Sequence, residues 1–116
     1  IYSERILSEW VRVNRNYFIR GGTYEFKIAK RKARAGNWDG AAEIWKKNTT
    51  SSKRKTAGRA NYNMAIIQEI NGNLDEAIKY AQKSYEDYGV RLALQYINIL
   101  KRRKNQENLL EIQNGQ

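Results

Sequence analysis

The stretch Asn71-Gly72-Asn73-Leu74-Asp75-Glu76-Ala77 decides the architecture, and it has a counterpart 36 residues earlier, Gly36-Asn37-Trp38-Asp39-Gly40-Ala41. Aligned without gaps from the glycines, four of six positions are identical. A fainter copy, Asn105-Gln106-Glu107-Asn108-Leu109-Leu110, follows 33 residues after Gly72. A period near 34 residues is that of an array of helical hairpins. Gly36 and Gly72 each follow a helix-like run, where a residue that accepts a left-handed backbone ends a helix cheaply. Asp39 and Asp75 stand where a carboxylate caps or flanks the next helix start. Ala41 and Ala77 place a methyl where two helices must approach closely. Each copy is therefore helix, tight turn, helix.

Outward from these turns the spacing predicts helices over 23–35 and 39–48, then 54–71 and 75–87, and a terminal pair over 90–104 and 107–113. Tyr62, Ala65, Ile66, Glu69 and Ile70 recur at three- and four-residue spacing, as do Ala77, Tyr80, Ala81, Ser84 and Tyr85. Asn48-Thr49-Thr50-Ser51-Ser52 separates the first two pairs with poor helix formers. Ahead of them, Val11, Val13, Arg15, Tyr17 and Ile19 alternate with Arg12, Asn14, Asn16, Phe18 and Arg20, partly a period-two pattern and compatible with a strand or extended arm. Two parts result: an arm over 1–22, or the end of an upstream domain, and a helical domain over 23–116.

Composition agrees with an all-α chain. It has 116 residues, one domain's worth, and no Pro, which helix interiors tolerate badly. With 41% hydrophobic residues it can build a core. It has no Cys and no His, so a zinc cage, a thiol nucleophile and an imidazole base are excluded. Adjacent carboxylates such as Asp75/Glu76 point about 100° apart on a helix and do not form an opposed acid–base pair. No cofactor motif and no apolar run long enough to cross a membrane is present. Asn48-Thr49-Thr50 matches a glycosylation acceptor, which acts only on a eukaryotic secretory route.

The charge is lopsided. Lys and Arg number 22 against 12 Asp and Glu, and between Lys27 and Arg59 there are eleven basic residues and two acids. Lys27, Lys30, Arg31 and Arg34 share one helical stripe, and 101–104 adds a second cluster. Such a face suits an anionic partner: an acidic protein segment, a nucleic acid or a membrane surface. The competing reading is a solvated face that aids solubility. Tyr24, Phe26 and Tyr62 stand near the cluster, but no nucleic-acid motif accompanies them.

The second copy, from Tyr62-Asn63-Met64-Ala65 through Gly72 to Ala77 and Ser84, closely resembles the tetratricopeptide repeat. There the small residues at Ala65, Ala77 and Ser84 and the glycine at Gly72 form the packing signature. The first copy matches through Ala29, Gly36, Trp38, Ala41 and Trp45, and departs at Lys32 and Asn48. Both copies lack the family's terminal Pro. The resemblance implies an α-α superhelix and a non-catalytic scaffold, holding a peptide or partner protein in a concave, partly basic groove. The family's groove positions fall on Phe26, Lys30, Arg34, Arg59, Tyr62, Ile66, Glu69 and Arg102, with Lys30, Arg34 and Arg59 converging. The alternatives are a structural module packed on an upstream domain of the same chain, and a binder of an anionic polymer. Trp10…Arg15…Tyr17-Phe18…Gly22 ahead of such repeats is similar to surface lipoproteins of Bacteroidetes, which implies a cell-envelope location.

Overall fold

A computed structural model describes residues 16–114. Among them are five helices and no strand: α1 (Glu25–Arg34), α2 (Trp38–Asn48), α3 (Arg54–Ile70), α4 (Leu74–Glu86) and α5 (Arg91–Asn114). The expected arm lies largely outside the described residues. Its last part, 16–22, has no regular secondary structure.

The two diagnostic turns close identically. Gly36 has φ 83° and Gly72 φ 81°, a region that strains any residue with a Cβ. In the first turn the Asn37 N–H reaches back to the Lys32 carbonyl (2.8 Å), and in the second Asn73 reaches Gln68 (2.8 Å). Both satisfy a carbonyl that the helix end leaves open. The restart of α2 is capped by Asn37, whose Oδ1 accepts the Gly40 N–H at 3.0 Å. Asp39, expected to cap or flank this start, lies inside the first turn, where it complements the helix dipole. Asp75 is likewise inside α4 and pairs with Lys104.

The terminal pair is instead one continuous helix, α5, of 24 residues. Asn105-Gln106-Glu107-Asn108 resembles the turns but has no glycine to take a positive φ. Glu107 also lies 3.9 Å from Arg103, one turn back, in an ion pair that favours continuation.

Each helix packs chiefly on its neighbour in sequence, α1 on α2, α2 on α3, α3 on α4 and α4 on α5. α3 is central and is buried on nearly every side. One side, with Ala60, Met64 and Ile67, meets Phe26, Ala29, Ala33, Ala41 and Trp45. The other, with Tyr62, Ala65, Ile66 and Ile70, meets Leu74, Ala77, Ala81, Tyr96 and Leu100. Ala41, Ala65 and Ala77 are fully buried, the close contacts their size suits. Each buried Ile or Met adds roughly 1.5–3 kcal/mol. No described helix is long and apolar enough to cross a membrane.

Candidate functional site

The polar residues of α3 define the site. Thr56, Arg59 and Asn63 sit at i, i+3 and i+7, on one face of the helix, and all three grip residues 18–21. The Thr56 hydroxyl donates to the Gly21 carbonyl. Arg59 Nη1 donates to the Arg20 carbonyl at 2.8 Å. Asn63 makes two bonds to one residue: its Oδ1 accepts the Phe18 N–H at 2.7 Å and its Nδ2 donates to the Phe18 carbonyl at 2.8 Å. The pitches match. Seven helical residues rise about 10.5 Å, and three extended residues span about 10 Å. The segment therefore runs along α3 in the opposite direction, gripped by its main chain.

Aromatic side chains seat it laterally. Phe18 meets Tyr62 edge-on (centroids 5.1 Å apart), and Tyr62 lies 5.3 Å from Tyr96. Tyr17 meets Trp38 edge-on at 5.8 Å and Trp45 at 5.4 Å. The Arg59 guanidinium lies over the Phe18 ring, 4.6 Å from its centroid. Gly21 is needed for contact, because a Cβ there would stand 2.3 Å from the Phe26 ring.

The eight residues singled out in the sequence divide accordingly. Tyr62 and Ile66 share one core cluster with Tyr96. Phe26 is 1% exposed and packs beneath Gly21. Arg59 is half-buried against the segment, whereas Lys30 is half-buried and Arg34 exposed on α1. Among the described residues none of these three cations has a carboxylate within 4 Å. Glu69 is fully buried, accepting from the Tyr96 hydroxyl (2.6 Å) and Arg103 (2.5 Å). Arg102 is exposed, so Arg103, one position on, is the cation turned towards α3. Thr56 and Asn63, which carry most of the grip, were not evident from sequence. The available signal was their presence, with Asn61 and Glu69, in a helix whose stretch from Ala57 to Ile70 is rich in Ala and Ile.

Away from this face, Glu25 accepts from Lys47 Nζ (2.6 Å) and Asn48 Nδ2 (3.3 Å). The Lys47 hydrogen bond, helped by Asn48, holds its carboxyl below the usual range. Asn48 is buried and also donates to the Ile44 carbonyl at 2.8 Å, so its amide is not presented to a glycosylating enzyme. Among the described residues no three carboxylates gather into a group that could hold a metal ion.

Residues 27–102, from α1 into α5, match a domain of unknown function (DUF6340). The chain belongs to the DUF6340 family. The DUF6340 match takes in Thr56, Arg59 and Asn63, while the gripped residues 18–21 lie outside it. No curated protein and no solved structure matches the chain significantly.

Proposed function

We propose that this chain is a non-catalytic scaffold of tetratricopeptide type that holds polypeptide in extended form along α3, and that the polypeptide it holds is its own residues 16–22. The chain then acts as a structural module, fixing the run of its N-terminal segment across the hairpins. The observation carrying this reading is the double hydrogen bond from Asn63 to the main chain of Phe18. A side-chain amide pairing with both polar groups of one backbone residue does what a neighbouring strand would do. It recognises extended chain whatever the side chain. The repeated Gly36 and Gly72 closures and the buried alanines support the repeat-array reading, with α1, α3 and α5 as the inner helices.

A second reading keeps the clamp and changes the occupant to a segment of another protein. It is favoured by the hydrogen bonds to Gly21, Arg20 and Phe18 all being to main-chain atoms, which any peptide offers. The tethered segment competes at an effective concentration on the order of millimolar, so micromolar peptide cannot displace it. The test is a labelled peptide copying residues 16–22, titrated into the wild-type chain and into Phe18→Gly. Binding to the variant alone supports the self-held clamp. Equal binding to both assigns the site to partners. Binding to neither refutes the clamp.

A further inference from the structure

Between the first turns of α3, the segment at Phe18 and the α4–α5 connection lies an open cavity of about 400 Å³. Phe18, Tyr88 and Leu92 wall it, and Lys55, Arg59 and Arg91 stand around it. No acid lines it, and among the described residues none of the three cations has a carboxylate within 4 Å. The cavity beside α4 and the middle of α5 contrasts with it. That one also gathers lysines, but Asp75 lines it and pairs with Lys104.

We propose that the Lys55–Arg59–Arg91 cavity is an oxyanion site, taking the phosphate or carboxylate group of a compact ligand. Arg59 is preorganised for this. One of its nitrogens is fixed on the Arg20 carbonyl and its central carbon lies over the Phe18 ring, so the group is held in place before a ligand arrives. A guanidinium carries five donors in a fixed fork, which suits the paired oxygens of either anion. Lys55 and Arg91, both exposed, add charge from two other elements. Their mutual repulsion is relieved when an anion enters. The apolar walls keep water from one side of it, which strengthens the attraction. Lys30 and Arg34 do not line this cavity; the cations that stand around it with Arg59 are Lys55 and Arg91. The site rests on the clamp proposed above, because Phe18 forms a wall and the Arg20 carbonyl steadies Arg59.

The experiment uses the full chain, followed by amide NMR through titrations with inorganic phosphate and with acetate, against sodium chloride at matched ionic strength. The expected result is saturable shifts at Arg59, Arg91 and Leu92 with phosphate or acetate and none with chloride. The tighter of the two anions names the ligand's group. Lys55→Gln combined with Arg91→Gln, at exposed positions that leave the fold intact, should weaken binding about tenfold or more. Shifts equal to those in chloride, or undiminished binding by the double variant, overturn the site. Hydrogen exchange at the Phe18 amide separates the two proposals. A protected amide without anion binding refutes the cavity alone, and an unprotected amide refutes the clamp.

Discussion

Replacing Asn63 with Ala removes both ends of the grip on Phe18 while leaving the helix sound, since Ala is the best helix former. Two groups lose their partners, the Phe18 N–H at 2.7 Å and its carbonyl at 2.8 Å. A polar group left unpaired in a buried site costs about 1–3 kcal/mol. Phe18 is half-buried, so water repairs part of the loss and the sum falls near 2–3 kcal/mol. That corresponds to hydrogen exchange about 30- to 150-fold faster at the Phe18 amide. If the segment stays seated, the loss also lowers the melting temperature by roughly 8–12 °C. If it lifts off, the melting temperature falls less, because water then satisfies both groups. Exchange at Phe18 rises in either case. Asn61→Ala is the control. Asn61 donates to the Thr49 and Ala57 carbonyls, away from the segment. It should lower global stability without selectively exposing Phe18. Unchanged exchange at Phe18 and an unchanged melting temperature in Asn63→Ala would refute the reasoning.

Gly72→Val should lower stability by about 1–2 kcal/mol through backbone strain alone, since nothing lies within 4 Å of a Cβ added there. An unchanged urea midpoint would contradict the turn closure. Ala77→Leu forces a larger side chain into a fully buried α4 position and should cost roughly 1–3 kcal/mol, read in the same urea titration. Glu25→Gln tests the ion pair with Lys47. A carboxyl held below its ordinary value stabilises the fold above that value and loses the contribution as pH falls through the folded-state value. The variant should therefore show a flatter dependence of stability on pH below about 4.5 than the wild type, and melting curves from pH 7 to 3 decide it.

The hairpins were legible because two local signals coincide at Gly36 and Gly72: a helical pattern stops and a residue free to take positive φ follows. The same logic explains the misreading at 105–110. There the Asn- and Leu-containing pattern repeats without the glycine, and pattern alone does not end a helix. At the site, Tyr62 and Ile66 stood out because aromatic and branched residues mark a helix's packed face. Asn63 and Thr56 did not, because Asn and Thr within a helix are usually solvent-facing and weakly unfavourable. What they contact lies 45 and 35 residues away in sequence. No local pattern encodes a partner at that distance. The stripe of Lys30 and Arg34 was visible as charge, but which cations meet Arg59 depends on how the α4–α5 connection folds back.

The gripped segment also sets an order of events in folding. The helices pack in sequence order, so their contacts close short loops and form early. The bonds from residues 18–21 to α3 close loops of 35 to 45 residues, which carry a larger entropic penalty. They can form only after α3 presents Thr56, Arg59 and Asn63 on one completed face. The assembly is thus a run of fast local steps followed by a late latch. Weakening that latch should accelerate unfolding while leaving the refolding rate nearly unchanged.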